Sequence, residues 1–205
     1  DLFLGTAARL GTAVQNIEKD FWVCWTLDAL FNGLAAGGPR LLFKGGTSLS
    51  KAFGLISRFS EDIDITVFRD DLGQKADVAE LDAFSGKKRR ARLDAIRMAC
   101  QRYIAGPLLE QFNQLAASII PTARYRLAID PEDKDGQTLL FWYPAVTASA
   151  GDYIRSAVKI ESGAKSALDP HIATTIHPYV AEDVSGLNLQ VANITTVKPE
   201  RTFWD

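Results

Sequence analysis

Apolar residues recur at near-helical spacing through the first part of the chain. Leu10, Val14, Ile17, Phe21, Val23, Leu27, Leu30 and Phe31 fall on one side of a 3.6-residue repeat, which predicts a helix over 6–34 ended by Gly33. A loop follows at 35–40, then the short apolar strand "LLFKGG" at 41–46, stopped by two glycines. "TSLSKAFGL" at 47–55 reads as a helix that Thr47 or Ser48 can cap. At 62–68 the pattern changes to strict alternation, the mark of a strand. Residues 69–86 are polar and read as a loop or short helix, a long helix runs from about 87 to 104, and Pro107 opens another to 120. Strands are expected at 123–130 and 137–146 around the turn "DPEDKDG", at 153–164, and at 187–197 before the closing "KPERTFWD". Strands interspersed with helices predict a mixed α/β (α+β) domain: a mixed β-sheet flanked by helices.

The alternation at 62–68 carries the first chemical signal. Ile63, Ile65 and Val67 share one strand face; Asp62, Asp64 and Thr66 share the other. The strand buries its isoleucines and presents two carboxylates side by side. Such a pair repels itself unless a cation offsets it, and a divalent metal does so well. Upstream, Gly45-Gly46 let the backbone approach a ligand closely, and the helix that follows points free N–H groups and its positive dipole end at the same place, a combination that holds phosphate. A phosphate cradle beside a carboxylate pair points to metal–triphosphate chemistry.

Composition narrows the class. The chain has 205 residues, 47% hydrophobic and 23% charged, so it is globular rather than disordered. Its longest apolar runs, such as Phe21 to Trp25, are too short to span a bilayer, and no secretory signal pattern opens it. Cys24 and Cys100 sit in apolar helical contexts and read as reduced core residues of a cytoplasmic protein, not a disulfide framework. Two histidines, His171 and His177, are too few for a His-rich metal site. A net charge of -2 argues against coating nucleic acid through charge, yet Lys87 to Arg92 forms a local basic run able to grip RNA.

"FKGGTSLSKAFGLISRFSEDIDI" resembles the signature of the AbiEii-type nucleotidyltransferase toxins, which include the MenT group, within the DNA polymerase β-like superfamily. The resemblance continues in "IEKDFW" at 17–22, "YIRSAVKIESGAKS" at 153–166, "HPY" at 177–179 and "KPERTFWD" at 198–205. It implies a nucleotidyltransferase fold, and an enzyme that transfers NMP from an NTP to an acceptor hydroxyl with two Mg2+ ions (or Mn2+). Asp62, Asp64 and a third carboxylate, matched by Glu161, would be catalytic and hold the metals. Gly45, Gly46, Thr47 and Ser48 would cradle phosphates, and Ser60 would contact a phosphate or fix Asp62. Lys51, Arg58, Lys159 and Lys165 are the cationic candidates for the triphosphate, although Lys51 reads equally as a solvated helix face. A toxin with a cognate antitoxin, and tRNA as acceptor, are further implications. The alternatives are a small-molecule or protein acceptor, and a catalytically silent NTP- or antitoxin-binding module. The family's pattern continues past "ERTFW" into a helical region with a further Lys-Asp motif. The expectation here is one nucleotidyltransferase-like domain over 1–205 without that region.

Overall fold

The computed structural model describes residues 2–57, 59–76, 81, 83–147, 156–184 and 186–202. Within them the expected first helix is two. α1 (Leu2–Leu10) ends at Gly11, whose φ of 63° turns the chain, and α2 (Val14–Asp28) restarts after it. α2 then widens into a π-helical turn over Ala29–Gly33. β1 (Leu41–Lys44) runs straight into α3 (Gly45–Lys51), which begins two residues earlier than the sequence suggests. Neither Thr47 nor Ser48 caps α3, because Lys44 holds the cap position without a side-chain bond. Next come β2 (Asp62–Val67) and α4 (Gly86–Tyr103), whose cap residue Ser85 accepts the Lys88 N–H. Pro107 does not open a new helix. It lies inside a π-helical stretch, Ile104–Leu108, that joins α4 to α5 (Leu109–Ile119), and the looser turn absorbs its missing N–H.

β3 (Arg126–Ile129), β4 (Thr138–Trp142), β5 (Ala157–Gly163), β6 (His171–Ile176) and β7 (Val191–Val197) follow, with a short α6 (Pro199–Thr202). β6 escapes the sequence pattern because it is an edge strand whose residues are mostly exposed, so no alternation is imposed on it. The described strands form one sheet in the order β3-β4-β5-β2-β1-β7-β6. β5 runs parallel to β2 and β7 parallel to β1, and the other neighbours are antiparallel. This mixed sheet with helices is the fold class the pattern predicts.

One face of the sheet is the core. Ile63, Ile65, Val67, Val158, Ile160, Leu139 and Phe141 pack there against Val23 and Leu27 of α2, Ile96 and Cys100 of α4, and Phe112 of α5. Both cysteines are free and buried, as expected. Phe141 and Tyr143 are buried and Trp142 half-buried, with Phe141 stacked on Trp25 and Tyr143 on Trp22. No helix among the described residues is long and apolar enough to cross a membrane.

Candidate active site

The other face of the sheet carries the charges. Register places Lys44 of β1 beside Asp64 of β2, Asp64 beside Glu161 of β5, and Glu161 beside Thr138 of β4, a row across four strands. One step along, Asp62 stands beside Lys159. Alternation therefore brings together the two predicted aspartates and the third carboxylate. Lys44, which the sequence reading passed over, joins them. Its signal is the same alternation, since "LLFK" puts Lys44 on the face of Leu42, away from the buried Phe43. Its Nζ donates to Ser166 Oγ at 2.9 Å.

The row holds more negative charge than it comfortably stabilises. Burial, then the Glu161 charge, pushes the Asp64 carboxyl up to about 6, and Lys44 only partly offsets this. Asp62 is raised as well, by burial first and then by Glu61. Glu161 is paired with Lys159, 2.5 Å from Nζ to Oε1, both half-exposed. That same pairing raises the Lys159 ammonium. Among the described residues no three Asp, Glu, His or Cys side chains converge closely enough to hold a metal ion as they stand. The donor set nevertheless fits a hard divalent cation: carboxylate oxygens only, two of the groups raised above their ordinary range by burial first and then by neighbouring carboxylates. Asp62 and Asp64 would hold such an ion, with Glu161 added once it turns from Lys159.

Gly45 is what lets the backbone turn here. Its φ is 75°, a left-handed conformation, and a Cβ on it would collide with the Asp64 carboxylate, lying 2.7 Å from Cγ. The glycine turn and the carboxylate are in direct contact, and the N-terminus of α3 begins at that point. Gly46 is the second residue of the helix.

The hydroxyls of this segment serve the frame. Thr47, buried, donates to the Asp62 carbonyl, and its Oγ1 lies 2.6 Å from Ser60 Oγ, so Ser60 and Thr47 together fix the entry to β2. Ser48 is fully buried and donates to the Gly45 carbonyl at 2.8 Å. Lys51 is no solvated helix residue. Its ammonium is buried in an ion pair with Asp20, sits 3.6 Å from the centroid of the Tyr179 ring, and donates to the His177 carbonyl. Asp20 also accepts from the Tyr179 N–H at 2.7 Å. Lys165 is exposed on the loop after β5. Arg58 lies outside the described residues, as do 148–155, which contain part of the "YIRSAV" segment.

Sequence reading missed the buried charges of α2. Glu18, Lys19 and Asp20 are all almost fully buried. Glu18 accepts from the Val146 and Thr147 N–H groups, Lys19 pairs with Glu61 beside Asp62, and Asp20 pairs with Lys51. The signal was three consecutive charges inside an apolar helix. Arg69 was missed too. It is buried and donates to the carbonyls of Ala76, Ala164, Lys165 and Ser166, clamping the loop that follows β5.

A family model, nucleotidyl transferase AbiEii toxin of type IV toxin–antitoxin systems, matches residues 28–205, which include every part of the carboxylate row and the Gly45 turn. The chain belongs to the AbiEii nucleotidyltransferase toxin family. A search of curated proteins gave no match. Among solved structures the AbiEii chain is similar to MenT4, a nucleotidyltransferase toxin from Mycobacterium tuberculosis H37Rv, with 16% sequence identity and a TM-score of 0.54. The alignment covers 98% of this chain and 56% of MenT4, so the chain spans little more than half that protein's length. At this identity the likeness speaks for the fold. Three of the motifs that mark this chain as AbiEii-like meet around the buried Asp20–Lys51 pair: Asp20 from "IEKDFW", Lys51 from the first signature, and His177, through its carbonyl, and Tyr179 from "HPY".

Proposed function

We propose that this AbiEii chain transfers a nucleotidyl group from an NTP to an acceptor hydroxyl in a Mg2+-dependent reaction, and that it acts as a toxin held in check by a cognate antitoxin. The observation that carries the reading is the contact between the Gly45 turn and Asp64, inside a row that also holds Glu161 and Lys44. It sets a backbone turn free of side chain against a carboxylate pair whose charge the nearby lysines only partly offset, which suits the two sides of a metal–triphosphate.

Each residue then has a task. The Gly45–Gly46 peptide N–H groups and the Lys44 ammonium bind and orient the β and γ phosphates. Asp62 and Asp64 hold the divalent ion. When bound, that ion neutralises charge on the phosphates and on the departing pyrophosphate. Glu161 takes the proton of the attacking hydroxyl on a carboxylate oxygen. Lys159, freed from Glu161 at that moment, is placed to meet phosphate charge. Catalysis of this kind is positioning and charge neutralisation.

The tRNA 3′ end, an acceptor the family resemblance suggests, needs a basic surface next to the carboxylates. Lys87 to Arg90 are exposed, but α4, which carries them, packs on the core face of the sheet, opposite the carboxylate row. Arg92 is already committed, donating to Gln74 Oε1 at 2.7 Å and to the Lys75 carbonyl.

The test is incubation of the full chain with each α-labelled NTP, a cell extract and either Mg2+ or a chelator. Label moving into an acceptor with pyrophosphate release, in Mg2+ only, is the expected result. Label remaining in nucleotide for every NTP, with NTP still bound, favours a silent binding module.

A further inference from the structure

Two lysines flank the carboxylate row, and they behave differently. Lys159 is closed onto Glu161, two positions along its own strand, at 2.5 Å. Lys44 stands opposite Asp64 in the register of β1 and β2, yet its charge reaches that carboxylate only through space, and among the described residues the two form no ion pair. Opposite charges this near each other attract strongly in a half-buried site. Something therefore holds the ammonium away. Its hydrogen bond goes instead to Ser166 Oγ, 2.9 Å from Nζ.

We infer that Ser166 is a positioning residue: it keeps the Lys44 ammonium off Asp64, so that the ammonium stays open to phosphate and the carboxylate to a cation. This rests on the transferase reading, in which Lys44 binds the triphosphate and Asp64 the metal ion.

A hydroxyl is a weaker partner for an ammonium than a carboxylate is. It prevails here because its loop is fixed on both sides of it. Arg69, just past the end of β2 and only 6% exposed, donates to the carbonyls of Ala164, Lys165 and Ser166 at 3.3, 3.3 and 3.1 Å. A fourth bond, at 3.1 Å, ties the same guanidinium to the Ala76 carbonyl. Arginine suits this task because its rigid, planar fork serves several acceptors at once. Beyond Ser166, Leu168 packs against the buried Leu42, Phe68 and Val197. Leu42 is two residues before Lys44 on the same strand face, so the loop lies over β1 beside the lysine it holds.

The geometry also says what is lost without the hydroxyl. Lys44 would close onto Asp64 as Lys159 closes onto Glu161. Asp64 would then be engaged by an ammonium that a cation must displace, and the Gly45 turn would lose the positive charge at its side. A site that keeps its charges apart before substrate arrives is preorganised for both partners.

The experiment is a double-mutant cycle on Ser166 and Lys44, read as Mn2+ binding to the full chain without nucleotide, by the electron paramagnetic resonance of the free ion. Ser166→Ala removes one half-buried oxygen and leaves the Arg69 bonds in place, since all of them go to backbone carbonyls. It should weaken Mn2+ binding roughly fivefold or more, and Ser166→Thr, which keeps a hydroxyl, should restore it. Lys44→Met should then strengthen Mn2+ binding at least about fivefold more in the Ser166→Ala background than in wild type, the scale of coupling between groups in contact. Equal effects of Lys44→Met in the two backgrounds overturn the inference, because a serine that merely supports the loop would not be coupled to the lysine. Wild-type Mn2+ binding by Ser166→Ala overturns it too. Asp64→Asn keeps the two readings apart. If that variant and wild type bind Mn2+ alike, the metal–nucleotide reading fails and this inference with it. If they differ and the cycle is additive, the inference about Ser166 alone fails.

Discussion

Gly45 and Asp64 show how much one residue pair decides. Glycine is required at 45 both by its φ of 75° and by the carboxylate that a Cβ would strike. Gly45→Ala should cost roughly 2–4 kcal/mol, combining backbone strain with overpacking, and should displace Asp64. Urea unfolding and NTP titration of the same variant check both halves; wild-type values in each would mean that the turn tolerates a side chain. Asp64 makes a pH prediction. Its folded carboxyl titrates at about 6, above the ordinary 3.8, so the fold disfavours its charged form. The native state binds the proton more tightly, and this contribution to stability is present below about pH 4 and lost as pH rises towards 6. In chelator, Asp64→Asn should therefore be more stable than wild type at pH 7.5, by roughly 1–2 kcal/mol after allowance for screening. The advantage should shrink by pH 4.5, as paired thermal melts at the two pH values will show.

At the scale of elements, α3 is held by what lies around it. It is a short helix with no side-chain cap, and its last residue, Lys51, is anchored by Asp20 of α2 in a buried ion pair. Removing one partner of such a pair leaves a buried charge, so Asp20→Ala should cost about 3–5 kcal/mol, while Asp20→Asn with Lys51→Met should recover most of that loss. Denaturant unfolding of the two variants decides; equal losses would mean that the pair is not the anchor. The same elements mark the reach of the sequence. Alternation in "DIDITV" and "VKIE" made the faces of β2 and β5 legible, and so the aspartates and Glu161, since a strand's period admits one answer when one side is buried. Lys51 and the charges of α2 were not legible. Their partners lie far along the chain, and a polar residue on a helix looks solvated until its neighbour is known. The break at Gly11 and the π-turn around Pro107 were lost for a related reason: periodicity continues across both, and only backbone geometry separates them.

On the scale of the whole molecule, the sheet divides the labour. Its core face carries α2, α4 and α5, and its other face carries the carboxylate row. The exposed part of the basic run belongs to a helix of the core face, so Lys87→Glu with Arg90→Glu should leave nucleotidyl transfer within about twofold of wild type, the usual scale for distant surface changes. A large loss measured by label transfer, with a flatter salt dependence, would instead assign that helix to RNA binding. The proposal that the opposite face is a metal–nucleotide centre makes opposite demands on one residue: Asp64 destabilises the metal-free fold and is required for chemistry. The most direct measurement is the rate of NMP transfer by Asp64→Asn and wild type, in Mg2+ with saturating NTP, on samples whose metal-free stability has been determined. The account predicts a rate lower by about a thousandfold, the scale of losing a central electrostatic group, in a protein at least as stable as wild type. Transfer at the wild-type rate by a folded Asp64→Asn would contradict it.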